Sequence, residues 1–354
     1  MPFPKTYIDA MLLNWGDRLF HEPLRHVAAP NLPRLPRRQI GDEAASMRER
    51  LARTVRRTPE VMVKITNRAS SGQGMGAVRR HLRYISRNGR IELEDQDGQI
   101  ISGVVALRDL AEAWHLGGWG IPEESPRREV FNVLLSMPPG TDRQAVREAA
   151  RAFAAEDFGD GRRYVFAAHD DEAHPHVHLS VQVRGSDGRR LNPRKQDLQR
   201  WREHFARQLR EHGVDANATP RRARGQTHRY PKQAVVHMVA REEMPRYWRA
   251  VSDDAGRRAV WQAHAGVFDA WHEIARAMVN SGVAGDRAMA MDIADFVQAM
   301  PVQQHRPPTV QVRAGHTQQP EQEHGLEPGA RTAPPLQSGP DNGQQRDPDA
   351  EVER

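Results

Sequence analysis

The chain contains no cysteine. Disulfides, thiolate metal sites and a cysteine nucleophile are thereby excluded, and a reducing compartment such as the cytoplasm is consistent with that lack. Long apolar runs are also missing. No window approaches the ~18 apolar residues of a membrane-spanning helix, and the first twenty residues lack the basic start and extended apolar stretch of a secretory signal. Membrane insertion is not expected. From Pro301 onward aliphatic residues all but vanish while Pro, Gln, Gly and Glu accumulate, so residues 301–354 are expected to be a disordered tail.

Charge is short of acidic groups everywhere except in that tail. The whole chain carries a formal +6, but residues 301–354 hold five Arg against eight Asp/Glu, a local −3, which leaves +9 on the rest. A basic body points to a polyanionic partner, most simply nucleic acid. The plainer alternative is an Arg-rich protein with no such partner. At 354 residues there is room for one well-buried core and for a second.

Residues 1–58 are Arg-rich, with Pro30, Pro33 and Pro36 breaking any long element. They read as a basic extension holding one short helix around Asp42 to Arg56. A domain then spans 59–228. It opens on a strand at Glu60–Ile65, followed by a Gly/Ser loop and a helix from Ala77 to Arg87 that stops at Asn88-Gly89. A hairpin over Arg90–Ile101 turns at Asp97-Gly98, and Leu107–His115 is helical. A buried strand covers Val130–Ser136. Thr141 to Gln144 looks like a capping box opening a helix through Phe153. Tyr164–Ala168 is a strand that delivers His169, and the histidine-rich strand after it turns at Gly185–Gly188. Asp197–Glu211 is a helix with Leu198, Trp201, Phe205 and Leu209 on its apolar side. Short strands with helices between pairs of them predict an α+β fold, a mainly antiparallel sheet covered by helices. Residues 229–300 form a helical region, in which Trp261, Phe268 and Trp271 share a stripe at helical spacing and belong to a core.

The densest chemistry lies in His169-Asp-Asp-Glu-Ala-His-Pro-His-Val-His178. Residues i and i+2 of a strand share a face, so His176 and His178 sit side by side with Val177 behind them. His169 can close a set of three nitrogens with open positions, the layout of a catalytic metal. His174 has the right parity, but Pro175 bends the strand there, and it is left outside the set. Three readings stay open on residue types alone: a catalytic divalent metal, histidines serving only structure, and a general-base cluster without metal. A second candidate is Tyr84. A tyrosine on a helix is ordinarily packing, but Arg79, Arg80, Arg83 and Arg87 surround this one in sequence. Positive charge favours phenolate and grips a phosphodiester, and a phenol can be a covalent nucleophile.

With these residues in place, Val61 to about Arg224 resembles the conjugative relaxases, the mobilisation nucleases of the HUH endonuclease superfamily, in the branch that includes the T-DNA border endonuclease. Leu82-Arg83-Tyr84-Ile85-Ser86-Arg87-Asn88-Gly89 fits the nucleophile motif. Ser136-Met137-Pro138 fits a strand ending in Ser-x-Pro. His169, Asp171, His174, Pro175, His176, Val177 and His178 fit the histidine motif, with Ala173 where many relatives are acidic. The resemblance implies a two-layer α/β sandwich around a central antiparallel sheet. It implies nicking of one strand at an origin of transfer, with Tyr84 attacking the scissile phosphate to leave a 5′-phosphotyrosine and a free 3′-OH. It further implies that His169, His176 and His178 hold a divalent metal, Mg²⁺ or Mn²⁺, that Asp171 orients one histidine, and that Ser136, Arg83 and Arg87 contact DNA. The implied partners are single-stranded DNA at an origin of transfer, accessory relaxosome proteins, and a type IV coupling ATPase with its secretion system. The implied setting is the bacterial cytoplasm, or export with covalently bound DNA. A rolling-circle replication initiator and a non-cleaving DNA-binding accessory protein on the same fold are the alternatives.

Overall fold

Period-two alternation in three of the strands builds the centre of the molecule. The computed structural model describes residues 3–21, 37–67, 74–226 and 253–306, together with positions 238, 241 and 243. The tail from 307 onward and most of 227–252, on which part of the sequence reading falls, lie outside the described residues. Strands β1 (Met62–Ile65), β2 (Leu93–Asp95), β3 (Ile100–Ile101), β4 (Val130–Ser136), β5 (Tyr164–His169) and β6 (His176–Gln182) form one sheet in the order β1-β4-β6-β5-β2-β3. Every neighbouring pair is antiparallel.

The two faces of this sheet differ. On one face Val63, Phe131, Val133, Leu135, Phe166, Val177, Leu179 and Val181 pack against helices α5 (Arg143–Phe158) and α6 (Lys195–Glu211) through Phe153, Phe158, Trp201 and Phe205. On the other, helices α3 (Met75–Ile85) and α4 (Gly103–Leu116) bury Val78, Leu82, Leu107 and Trp114 against Leu93, Val130, Val165 and Ala167. The second layer of helix is therefore partial. It leaves a cleft of about 610 Å³, bounded by α3 on one side and lined by Thr66, Asn132, Leu134 and His178 of the sheet.

Most elements lie where the sequence places them, with shifted ends. α3 stops at Ile85 rather than Arg87, so Tyr84 stands on its last turn. Arg87, Asn88 and Gly89 are all left-handed, at φ 49°, 58° and 82°. A Cβ on Gly89 would lie 2.6 Å from the Gly103 carbonyl carbon, so only glycine fits this stop. The cap of α5 is Asp142, whose carboxylate accepts from the Ala145 amide at 2.9 Å, and not Thr141.

The first 58 residues differ more from the reading of an irregular arm with one short helix. They hold two helices, α1 (Lys5–Phe20) and α2 (Arg37–Val55). Ile8, Leu12, Leu19, Phe20 and Leu51 pack in one core with Trp271, Ile274, Met278, Ile293 and Phe296. The latter come from α8 (Ala265–Val279) and α9 (Asp286–Gln298), which follow the short α7 (Asp254–Ala263). Arg48 of α2 binds Asp9 of α1 at 2.8 Å and Asp286 of α9 at 3.1 Å. Pro301–His305 adds a 3₁₀ turn whose Val302 is fully buried in this core, so order continues past residue 300. A polar seam joins this helical core to the sheet domain, with Thr54 2.9 Å from Thr219 and 3.2 Å from Asn217. No helix among the described residues is long and apolar enough to cross a membrane.

Candidate metal centre and nucleophile

The histidines converge because β5 and β6 are antiparallel neighbours. His169 is the register partner of His176, and Ala167 of His178. The apolar parity of β6, Val177-Leu179-Val181, is drawn into the α5/α6 core. His176, His178 and Ser180 must then face the cleft. The imidazoles of His169, His176 and His178 offer nitrogens that all lie within 4.8 Å of one another.

Second contacts decide which nitrogen each ring can offer. His169 Nε2 lies 2.7 Å from the Ile85 carbonyl oxygen. A carbonyl only accepts, so Nε2 carries the proton and Nδ1 keeps its lone pair. That Nδ1 is buried and has no hydrogen-bond partner. His176 Nδ1 donates to the His174 carbonyl at 3.0 Å, which leaves its Nε2 free to bind. A ligating histidine commonly gives its other N–H to a backbone carbonyl in this way. Burial pushes the His178 imidazole down to about 3, and the nearby His169, His176, His81 and Arg87 add to the fall. Burial also lowers His169, against the Ile85 carbonyl, which opposes the shift. Both rings are therefore neutral near pH 7 with lone pairs available. An orphaned buried nitrogen within a three-histidine cluster fits a divalent cation.

Tyr84 stands over this cluster. Its ring is 54% exposed, and its centroid lies 5.6 Å from His178 in an edge-on arrangement. The Arg87 guanidinium is 5.3 Å from the tyrosine ring centroid and forms a short ion pair with Asp171. Arg87, expected to contact DNA, ties the Tyr84 turn to the loop between β5 and β6. The Asp171 carboxylate, expected to orient a histidine, is 3.9 Å from His169 Nδ1 and also bonds to Arg87. The Ile85 carbonyl holds the other nitrogen of the His169 ring. His174 is exposed and supplies only its carbonyl.

Ser136 ends β4 directly opposite His176, on the same face, and is 4% exposed. Arg83 is separated from the rest of the site. It lines a groove between α3 and α4 with Leu82, Val104 and Leu107, on another side of the helix from Tyr84. Three contributors were not singled out in the sequence. His81, one turn before Tyr84, has its ring 6.3 Å from His178 and an unpartnered buried Nε2, and burial lowers it to about 4. Its i−3 spacing from Tyr84 was the available signal. Arg143 donates to the Glu172 carbonyl at 2.6 Å and to Asp170 at 3.3 Å, holding the histidine loop to the start of α5. Nothing in the sequence pattern marks it. Asn132 is a polar residue inside an apolar strand, with the parity of Ser136, and lines the cleft.

Residues 110–214 match the family model for the relaxase nuclease domain of the MobA/VirD2-like type. The match contains Ser136 and the three histidines and begins downstream of Tyr84. The T-DNA border endonuclease VirD2 of Rhizobium radiobacter is 33% identical over 162 residues, 41% of this chain and 38% of that protein. Its counterpart from Agrobacterium fabrum is 30% identical over 179 residues, 46% of this chain and 40% of that protein. The Rhizobium rhizogenes protein of the same name is 30% identical over 161 residues. The chain thus spans about two-fifths of the length of the curated relatives it matches. The antiparallel sheet, the histidine cluster on β5 and β6 and these matches agree in one likeness, to the relaxase nuclease domain of the T-DNA border endonuclease branch.

Proposed function

We propose that this protein cuts one strand of DNA at a specific site, as a relaxase, through attack by Tyr84. The observation that carries the reading is the exposed Tyr84 ring 5.6 Å from His178, on the rim of a three-histidine cluster fit for a divalent cation. Tyr84 Oη forms a bond to the scissile phosphorus as the bond from phosphorus to the 3′ oxygen breaks. The 5′ phosphate remains on the tyrosine. The phenol proton passes to solvent at this exposed position, and the departing 3′ oxygen takes up a proton to become a 3′-OH. Rejoining runs the same exchange backward, with a 3′-OH displacing the tyrosine, so the ester conserves the bond until the strand is resealed.

His169, His176 and His178 would hold the cation, Mg²⁺ or Mn²⁺. When bound, it supplies Lewis-acid polarisation of the phosphate oxygens. The Ile85 carbonyl fixes the His169 ring, and the end of α3 carries both that carbonyl and Tyr84, so one helix terminus positions nucleophile and ligand together. Arg87 places a positive charge beside the phenol and is itself held by Asp171. Arg80 and Arg128 on the cleft wall suit a phosphate backbone, and the cleft is open enough to take an unpaired strand. Ser136 lies where it can contact the strand near the cut. The sheet domain over residues 59–228 would do this chemistry. Accessory relaxosome proteins, a coupling ATPase and a type IV secretion system are the partners such a reaction would serve.

The test is a labelled single-stranded oligonucleotide carrying the transfer origin of the element that encodes the protein, incubated with Mn²⁺ or Mg²⁺. A denaturation-resistant protein–DNA adduct is expected with the native protein and none with Tyr84→Phe. Tight DNA binding without an adduct would leave a non-cleaving accessory protein as the better description.

A further inference from the structure

The cleft continues past the metal centre along β4 and β6, and its floor changes character. Ser136, Leu134 and Asn132 descend one face of β4 opposite His176, His178 and Ser180 of β6. Asn132 therefore lies two residues from the level of His178, about 7 Å along the strand. That step is on the scale of one nucleotide of an extended single strand. The neighbouring odd-numbered residues, Phe131 and Val133, are buried in the α5/α6 core.

An asparagine within such a strand is costly unless its amide is used. The main chain here is fully committed: the Asn132 amide donates to Asn67 Oδ1 at 3.1 Å, and its carbonyl accepts from the Thr66 amide at 2.8 Å. Asn67 is also committed, with Nδ2 on the Val130 carbonyl at 2.6 Å. The Asn132 side chain is different. Its Oδ1 meets only the Ser180 hydroxyl, at a long 3.4 Å, and among the described residues its Nδ2 has no partner while it lines the cleft. The nearby Glu129 carboxylate is already held by Arg190, at 2.9 Å. Leu134, between Asn132 and the histidines, offers an apolar surface to the face of a base.

We propose that Asn132, steadied by Ser180, reads the hydrogen-bonding edge of one DNA base about one nucleotide from the scissile phosphate. This rests on the strand-cutting reading for the position of the phosphate, but not for the recognition itself. A carboxamide presents a donor and an acceptor side by side and pairs with a base edge that presents the complement, as asparagine does with adenine. In a single strand both edges of the base are open to it.

Two selections on one pool of single-stranded oligonucleotides with randomised bases test this. In the first, full-length Tyr84→Phe protein, alone or with Asn132→Ala or Asn132→Asp, retains strands without cutting, and the retained strands are sequenced. In the second, native protein and Asn132→Ala form adducts that are sequenced. We expect one position at which the preferred base falls by about tenfold toward equal use in Asn132→Ala. Asn132→Asp, which lacks a donor, should shift that position toward a base with a donor on the edge it presents, such as the cytosine N4 amino group. All other positions should keep their preferences. Unchanged preferences in both variants, or a uniform weakening at every position, would overturn the assignment. Loss of adducts with an Asn132-dependent position still present in the binding selection would sink the cutting reading and leave base recognition standing. Adducts with an Asn132-independent pattern would do the reverse.

Discussion

The two faces of the central sheet are made by the same strands and do opposite work. On β6, Val177, Leu179 and Val181 point into the α5/α6 core and are buried to within 1%. One residue away in each case, His176, His178 and Ser180 face the cleft. The packed face obtains its stability from shape and apolar area. The cleft face gives that up, because α3 and α4 cover only the β5/β2 side, and holds polar groups that the fold alone does not require. A one-residue slip of β6 would exchange the two sets, so the core that makes the domain stable also places the histidines.

Exchanging chemistry for inert shape on the cleft face should leave stability alone. Tyr84→Phe should lower adduct formation at least about a thousandfold, because it removes the attacking atom. Its urea unfolding midpoint should match the native value, since Tyr84 is exposed. Any residual adduct of comparable yield would assign the attack elsewhere. The packed face should show the converse. Leu179→Ala opens a cavity in a closely packed core and should cost about 2–5 kcal/mol of unfolding free energy, read from denaturant curves. At a temperature where the variant remains folded, its Mn²⁺ affinity should be close to native.

The third comparison returns to the cleft. His176→Ala should weaken Mn²⁺ binding about a hundredfold by calorimetry, near 2.7 kcal/mol, with a stability cost well below that of Leu179→Ala. A chelator should abolish adduct formation by the native protein, and added Mn²⁺ should restore it. Equal activity in chelator would return the histidines to a metal-free role.

The smallest effect concerns a charge on the packed side. Glu94 is the register partner of Phe166 and shares its face. Its carboxylate bonds Arg151 at 2.7 Å. That bond, with Arg147 nearby and against the cost of burial, holds Glu94 below the usual glutamate range. A depressed folded value means that the unfolded chain takes up the proton first as pH falls. The stabilisation is therefore complete above about pH 4.5 and is lost below it, toward the folded value. Glu94→Gln should flatten the fall in unfolding midpoint below about pH 4.5. An unchanged acid slope would show that Glu94 contributes nothing to it.

Much of the site was readable because it depends on periodicity. The i, i+2 spacing of His176 and His178, with Val177 between them, puts both imidazoles on one face, whatever the sheet. The helix stop at Asn88-Gly89 places Tyr84 near a terminus. What escaped reading depends on partners far apart in the chain. The helical core joins residues 5–20 to residues 265–298, and neither segment shows its partner in its own pattern. The pairing of Asp171 with Arg87 follows the same logic, because the two lie 84 residues apart and no local spacing announces it. Arg143 acts through backbone carbonyls of a loop whose path no side-chain spacing records.

By itself the sequence determined the strands, their buried parity, the helix end that carries Tyr84 and the three histidines that can bind a cation. These are local properties, set by side-chain spacing and by the backbone conformations that glycine and asparagine allow. Only the tertiary structure decided that Ile85 fixes the His169 ring, that Arg87 joins the Tyr84 turn to the histidine loop, and that α3 and α4 stop short of β4. Each of those outcomes is a competition among distant groups for one volume or one hydrogen bond, and it is settled only when the whole sheet is assembled.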